Sequence, residues 1–599
     1  MIYHCEDHTC NYWDEGEKLP ERCPQCGRKL LRANEADMTG DDWTALGNTL
    51  WDAEASDKKR MVDCFRKAAY LGSAWGVCNL GICMEQGNGV EADPVQAFWL
   101  YQQAVEMGSL NAVCCLGVCY QYGIGTAPDA KQAADLYCKA AEYGSPRGQM
   151  LLARAFHDGI GVEADAAEAV HWVRAAAYQR YGEGMHRLGV CYAYGDGVEQ
   201  NWEHAVHWFR EAAESGVSAA MTDLGWCYEK GCGVEQSWEQ AFSWYRRGAE
   251  CGNLQSMHNL ARCYERGEGV EQNEDRAFYW YRRSAEGGNG DAMCNLGRCY
   301  KRGYGVEQNW QEAVKWYEQG AQCGNLQSMH NLAYCYERGE GVEQNEDRAL
   351  YWYRRGAEAG SVYCMFCLGW NYSNGVGVKQ NMTEAIRWYT AAAEGGNADA
   401  MQSLGWHYDH GEGVEQDMKK AICWYERAAE QNYPAAMNSL GECYAMGRGV
   451  PRDLETAMEW YRRAAELGEA MADYNMGWHL EQAGKLSEAY AHYRKAADGN
   501  DDSAWWALGR FYENGVVVAQ DGKEARRCYE TGEKLGSVKC KMRLARCKLL
   551  GIGGRRAKKA GLDLCRQALE LAKESSEKED YGYEAEMNLL RRTIAENES

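Results

Sequence analysis

The sequence predicts an all-α fold, namely an α/α solenoid of about fifteen helix–turn–helix repeats behind a small N-terminal metal-binding knuckle. Three observations predict it. The chain has 599 residues, more than one hydrophobic core can organise; a short apolar pair recurs every 36 residues; and four cysteines lie near the start. With 46% hydrophobic residues and 7 Pro against 67 Gly, the chain is too apolar for general disorder and too poor in proline for a string of linked domains.

The first element, residues 1–32, is predicted from Cys5, Cys10, Cys23 and Cys26. Their C-x4-C-x12-C-x2-C spacing approximates the paired cysteines of a tetrahedral thiolate site. A metal would give a segment too small for its own core something to fold around. The motif Cys23-Pro-x-Cys-Gly, together with Tyr12-Trp13, Gly16 and Pro20, resembles the rubredoxin-like modules of rubrerythrins and, more broadly, zinc ribbons.

The first pair of cysteines departs from that resemblance. The module implies C-x2-C-G, whereas this chain has Cys5-x4-Cys10-Asn11, and His8 is an alternative ligand to one of the thiolates. Because the altered loop would disturb an iron site that depends on backbone hydrogen bonds to sulfur, we favour structural Zn. A redox-active Fe at the same cysteines is the alternative, and an empty site remains open.

The second element, residues 40–555, is the repeat array. Each unit contains a Leu-Gly or Leu-Ala pair, once Met-Gly, whose second residue we call the marker. Gly47, Gly509 and Ala545 stand outside the regular run, and the spacing changes before and after it, as expected near ends that need caps. The regular markers are Gly81, Gly117, Ala153, Gly189, Gly225, Ala261, Gly297, Ala333, Gly369, Gly405, Gly441 and Gly477.

Each unit reads as two helices joined by a tight loop. In the unit of Gly225, Leu224 and Tyr228 lie on one apolar stripe of the first helix. Gly231 and Gly233 then predict a turn with positive φ, and the Val that follows returns the chain to the core. An N-cap residue opens the second helix, which carries Ala, Trp and Tyr at fixed offsets and ends in Ala-Glu-x-Gly. These N-caps are Asn201, Asn273, Asn309, Asn345, Asn381 and Asp417.

This pattern, with Cys227-Tyr228, Gly231-x-Gly233-Val234 and Trp244-Tyr245 in place, resembles the Sel-one-like repeat, a relative of the tetratricopeptide repeat. The resemblance implies a scaffold or adaptor that binds a protein or peptide partner, although a fold does not fix an activity.

By analogy with related repeats, the first helices should line a concave wall. The residue after each marker, which we call the post-marker residue, is therefore our candidate partner-binding position. Tryptophan, tyrosine and arginine are enriched at binding hot spots. The alternative is that these residues only pack against neighbouring helices. The candidates are Trp226, Arg262, Arg298, Tyr334, Trp370, Trp406 and Trp478.

The last element, residues 556–599, is a polar stretch of alternating charges that predicts a capping helix. The net charge of −23 opposes binding to nucleic acid or to anionic membranes. The sequence shows neither a signal peptide nor a membrane span. We therefore expect a cytoplasmic protein whose remaining 24 cysteines are reduced thiols, many of them buried two residues after the marker.

Catalytic motifs are scarce. Ser56-x-x-Lys59 has no K-T-G partner, and the H-x-x-H pairs His204/His207 and His407/His410 lack the glutamate of a metalloprotease helix, which predicts surface histidines without a metal. The sequence therefore predicts a non-enzymatic protein. A redox protein with Fe at the N-terminal cysteines is the alternative, and a hydrolase of β-lactam or cell-wall substrates is a weaker one.

Overall fold

The structure is a computed structural model and describes residues 2–5, 13–15, 30–33, 35, 38–51, 55–578 and 584–598. Contacts divide the chain into two compact units, Met1–Asn309 and Trp310–Ser599. We call them unit 1 and unit 2 and describe each by itself.

Unit 1 begins with a three-stranded antiparallel sheet in the order β2-β1-β3. Its strands are β1 (Ile2–Cys5), β2 (Trp13–Glu15) and β3 (Leu30–Ala33). Cys5, the last residue of β1, is paired in register with Leu30. Cys10, Cys23, Cys26 and His8 lie outside the described residues.

All further elements of the described chain are helices. Odd-numbered helices from α1 to α29 contain the markers and are the first helices of the repeats; even-numbered helices are the second ones. Unit 1 contains α1 (Gly40–Thr49), α2 (Ala55–Tyr70), α3 (Ala74–Gln86), α4 (Pro94–Glu106), α5 (Leu110–Tyr122), α6 (Ala130–Glu142), α7 (Pro146–Asp158), α8 (Ala166–Tyr178), α9 (Gly182–Tyr194), α10 (Trp202–Glu214), α11 (Ser218–Lys230), α12 (Trp238–Glu250), α13 (Leu254–Arg266), α14 (Glu274–Glu286) and α15 (Gly290–Arg302).

Unit 2 continues the same alternation. It contains α16 (Trp310–Gln322), α17 (Leu326–Arg338), α18 (Glu346–Glu358), α19 (Val362–Asn374), α20 (Met382–Glu394), α21 (Ala398–His410), α22 (Met418–Glu430), α23 (Pro434–Met446), α24 (Leu454–Glu466), α25 (Ala470–Gln482), α26 (Leu486–Asp498), α27 (Asp502–Asn514), α28 (Gly522–Lys534), α29 (Val538–Leu550), α30 (Lys558–Lys578) and α31 (Glu584–Glu598). The predicted solenoid of helix–turn–helix repeats is confirmed.

The loops inside the repeats also follow the prediction. Gly231 and Gly233 both have a φ of +72°, and Val234 packs against the core of its unit. The predicted N-caps of the second helices accept backbone hydrogen bonds from the first helical turn, as observed at Asn201, Asn273, Asn345, Asn381 and Asp417.

A buried aromatic ring of the second helix, in most repeats a tyrosine, explains why the marker is a small residue. Tyr245 is completely buried, and its ring lies so close to Gly225 that a Cβ there would come within 2.6 Å of it. Because the interior is close-packed, a larger marker would push the two helices apart. Buried cysteines, such as Cys227 and Cys263, fill the next turn of the first helix.

The segment 556–599 differs from the single polar helix that the sequence predicts. It contains two helices, α30 and α31, and α30 pairs with α29 as the second helix of a last repeat. Apolar residues of both helices join one core, including Cys565, Ala568 and Leu590. No helix within the described residues is long and apolar enough to cross a membrane.

Candidate partner-binding groove

The first helices α9, α11 and α13 line an open cavity of about 560 Å³ in unit 1. Trp226 lies on its wall, and Val190 and Arg262, the post-marker residues of the two flanking repeats, lie there too. The remaining lining comes mainly from the same face of these helices, for example Asp223 and Lys230. Equivalent positions of successive first helices therefore share one recessed surface, which we call the groove.

Trp226 is the largest exposed apolar side chain of this part of the groove, with 39% of its surface accessible. Its indole packs against Trp202 of α10 with ring centroids 5.6 Å apart. Such a pair offers a broad apolar surface with little conformational freedom to lose. An apolar side chain of a partner could therefore pack against this pair without fixing the indoles any further.

Arg262 and Arg298, the next two candidates, are held by acidic side chains of the preceding repeat. Arg262 Nη2 lies 3.0 Å from Glu229 Oε1, and Arg298 Nη2 lies 2.8 Å from Glu265 Oε1. The same two carboxylates accept the hydroxyls of Tyr245 at 2.8 Å and Tyr281 at 2.7 Å. These two arginines thus connect successive repeats, as the packing alternative of the sequence analysis describes.

Glu229 is 3% exposed and is the centre of this network. Burial would raise the pKa of its carboxyl, but hydrogen bonds from Tyr245 and Arg262 outweigh burial, and the pKa is lowered. The carboxylate is therefore ionised at neutral pH and fixes both partners.

The sequence interpretation missed this tyrosine–glutamate–arginine contact. Its signal is a glutamate four residues after the marker, a tyrosine in the second helix and an arginine after the next marker. The contact recurs near the end of unit 2, where Glu481 accepts from Tyr493 and Arg510, both at 2.7 Å.

Unit 2 contains the other candidates. Trp370, Trp406 and Trp478 are 43%, 37% and 38% exposed, and each is a post-marker residue of a first helix. Tyr334 is half-buried, and the guanidinium of Arg338 lies 4.9 Å from the centre of its ring. The structure therefore leaves three indoles of unit 2 accessible to a partner.

The predicted surface histidine pair of unit 2, His407/His410, is divided between surface and core. One of the two histidines packs against a candidate indole. His410 stacks on Trp406 with centroids 4.4 Å apart. His407 points into the core and is 5% exposed, and burial lowers its pKa. The prediction that both histidines lie on the surface is wrong for His407, because it occupies the position two residues after the marker, which is buried in other repeats by residues such as Cys227.

Polar side chains also bridge neighbouring first helices below the groove. His258 Nε2 lies 2.8 Å from Asn295 Nδ2, and Asn475 Nδ2 donates to Asn438 Oδ1 at 2.9 Å. Burial lowers the pKa of His258, which favours a neutral imidazole that accepts from Asn295. These contacts show that first helices of adjacent repeats touch directly.

A second cavity in unit 1, of about 530 Å³, lies at α7, α8 and α9. Three arginines line it together with acidic residues that pair with two of them. Arg154 Nε lies 3.3 Å from Asp158 Oδ2, and Arg187 Nη2 lies 3.6 Å from Asp196 Oδ2. Charge in this cavity is thus largely balanced from within.

Most of the proposed metal ligands lie outside the described residues. Among the residues that the structure describes, no group of three or more His, Cys, Asp or Glu side chains is arranged to hold a metal ion. Of the four predicted cysteine ligands, only the backbone of Cys5 is described.

The paired helices and their shared groove define a helical-repeat protein of the α-solenoid class. Within that class, the sequence model of the Sel1 repeat matches thirteen segments, and the chain therefore belongs to the Sel1 repeat family. The matched segments are residues 76–109, 112–145, 146–181, 182–217, 218–253, 254–289, 290–325, 326–361, 362–397, 398–433, 434–469, 470–501 and 504–537.

Two solved structures are similar to the chain. The chain is 32% identical to c5321, a protective antigen of uropathogenic Escherichia coli with an SLR fold; the match covers 75% of this chain and 97% of that chain, with a TM-score of 0.51. A Sel1 repeat protein from Oxalobacter formigenes is 30% identical over 41% of this chain and 96% of its own, with a TM-score of 0.38. No curated protein sequence matches the chain.

Proposed function

We propose that the protein is a non-enzymatic scaffold or adaptor that holds a protein or peptide partner in the groove of its first helices. The observation that carries the proposal is the cavity of about 560 Å³ around Trp226, at a repeat position that exposes further indoles in unit 2. Tryptophan is among the side chains most enriched at binding hot spots, so exposed indoles at this one repeat position support a binding role.

The partner-binding residues that we propose are the exposed indoles Trp226, Trp370, Trp406 and Trp478. Arg262, Arg298 and Tyr334 remain candidates as flanking contacts. Membership of the Sel1 repeat family supports a scaffold, because stacked repeats form long binding surfaces.

The test compares groove variants with a matched surface variant. Trp226→Ala, Trp370→Ala and Trp406→Ala should each weaken capture of co-purifying partners by about tenfold or more, as expected for hot-spot aromatics. Trp99→Ala is the control, because Trp99 is 64% exposed but lies on the second helix α4. Equal capture by all three groove variants and by the control would overturn the groove assignment.

We further propose that Cys5, Cys10, Cys23 and Cys26 hold a structural Zn ion, with Fe as the alternative metal. The support is their number and spacing, which suit four thiolates around one ion. Elemental analysis of the purified full chain should find one Zn per chain, and Cys23→Ser with Cys26→Ser should remove it. Stoichiometric Fe with visible absorption would replace this proposal by the redox alternative.

A further inference from the structure

We infer that the part of the groove formed by α11, α13 and α15 binds an extended acidic peptide, with its carboxylates on Lys230, Arg266 and Arg302 and an apolar side chain beside Trp226. We call these three basic residues the cationic row. The inference rests on the proposed function and names the chemistry of its partner.

The cationic row occupies one repeated position in three successive repeats of unit 1. Each member is the last residue of its first helix, one helical turn beyond the post-marker residue. Lys230 lines the same cavity as Trp226, and Arg266 and Arg302 hold the equivalent position of the next two first helices. The side chains of Lys230 and Arg266 are 51% and 58% exposed, and Arg302 is exposed as well.

The positive charge of the cationic row has fewer acidic partners than there are cations in this region. Glu229 lies 3.0 Å from both Lys230 Nζ and Arg262 Nη2, so one carboxylate serves two cations. Glu265 forms an ion pair with Arg298.

Two other carboxylates complete the surroundings of the row. Glu268 Oε1 lies 3.8 Å from Arg266 Nη1, while Asp223 lies toward the other end of its helix and contacts His186 at 2.6 Å. In the C-terminal half of α11, α13 and α15 five cations therefore share three contacting acids, and Arg302 lies over the ring of Tyr304, 5.8 Å from its centre.

The helix dipole alone does not explain the row. Cations are favoured near the C-terminus of any helix, yet basic residues fill this position only in a run of four successive repeats, from Lys230 to Arg338. The equivalent residues of the other repeats between Gly81 and Gly509 are Gln86, Tyr122, Asp158, Tyr194, Asn374, His410, Met446, Gln482 and Asn514. A feature confined to one section of the groove points to what that section contacts.

The spacing of the row specifies the partner further. Helices that touch lie about 8–10 Å apart, and an extended peptide rises about 3.3 Å per residue. An acidic residue at every third position would therefore meet each cation in turn. Because the Trp226 cavity adjoins Lys230, an apolar residue should precede or follow this acidic series.

Panning of a phage-displayed library of random twelve-residue peptides on the full chain tests the inference. Selected peptides should be enriched in Asp or Glu three residues apart, next to an aromatic or aliphatic residue. In fluorescence anisotropy, the charge-reversal variant K230E/R266E/R302E should bind the best selected peptide at least about tenfold more weakly, with the difference reduced by salt.

The matched control is K131E/K139E/R246E, which changes the net charge equally at exposed residues of the second helices α6 and α12. It should bind within about twofold of the parent chain if the effect is local. Circular dichroism of both variants checks that they fold.

The outcomes separate the inference from the proposed function. Selected peptides without acidic enrichment, or equal binding by the charge-reversal and control variants, would overturn the acidic partner but leave the groove. A selection that yields no peptide would also overturn the inference, and the tryptophan variants would then decide the proposed function alone.

Discussion

Residues 218–309 in unit 1 and residues 362–501 in unit 2 use one scaffold but fill the groove differently. In the first section, the post-marker residues Arg262 and Arg298 are bound to Glu229 and Glu265. In the second section the post-marker position is tryptophan in three repeats, and Ser373 stands where Glu229 stands in unit 1. The buried tyrosine and the small marker are the same in both.

This comparison distinguishes two kinds of post-marker residue. Some stabilise the packing of successive repeats, and others leave a side chain exposed. An arginine paired with a buried glutamate contributes to the packing of successive repeats, because the carboxylate needs its cation. An indole such as Trp406 stacks on one neighbour and keeps about a third of its surface exposed. Loss of the acid should therefore destabilise unit 1, whereas loss of an indole in unit 2 should affect mainly binding.

The largest expected effect is that of Glu229→Ala. It leaves Arg262 and the hydroxyl of Tyr245 without their carboxylate, and loss of one partner of a buried pair costs about 3–4 kcal/mol. Urea denaturation followed by circular dichroism should show an earlier first transition, since repeat proteins unfold in parts.

Ser373→Ala is the matched change in unit 2. Ser373 carries no charge, and its hydroxyl acts on a single tyrosine, Tyr389, whose pKa it lowers against the effect of burial, so the expected loss is below about 1 kcal/mol. Similar transitions for Glu229→Ala and Ser373→Ala would contradict the distinction between the two sections.

The second prediction compares a loop glycine in each section. Gly269 and Gly377 both have positive φ, +72° and +63°, so alanine costs about 1 kcal/mol at either site. A Cβ at Gly269 would also lie 2.1 Å from the carbonyl oxygen of Trp238, whereas at Gly377 the nearest atoms, of Glu346, are 3.1 Å away.

We therefore expect Gly269→Ala to cost about 2–3 kcal/mol and Gly377→Ala about 1 kcal/mol. Thermal unfolding of the two variants against the parent chain measures the difference. Equal losses would mean that the loop at Gly269 relaxes freely, and that the sections do not differ in loop packing.

Much of the fold could be predicted from the sequence because the same pattern of residues recurs in each repeat. The markers, the positive φ of Gly231 and Gly233, and the N-caps such as Asn201 depend on local chemistry, which a sequence shows directly. The second helix of the last repeat was harder to recognise, since α30 has neither the Trp-Tyr pair nor the Asn N-cap.

The groove was predicted less well than the fold. Analogy with related repeats suggested candidate positions, but Arg262 could not be assigned to Glu229 without the stacking of successive repeats, because these residues are 33 positions apart. Lys230, Arg266 and Arg302 were missed because basic residues at helix ends have an ordinary explanation until their neighbours are compared.

The smallest expected effect concerns the buried histidines of the two sections, His258 and His407. Burial lowers the pKa of both below the usual 6.5, so the folded state favours the neutral ring. Their contribution to stability is complete above pH 6.5 and is lost as the pH falls toward the folded pKa, because the unfolded state then binds more protons.

His258→Gln should therefore reduce the loss of thermal stability between pH 7.5 and pH 5.5, and His407→Gln should act in the same direction. His171→Gln, at an exposed site of the second helix α8, is the control and should leave the loss unchanged. If His258→Gln retained the full pH dependence, the folded state would accommodate a protonated His258 as well as a neutral one, and burial of this histidine would not explain the loss of stability.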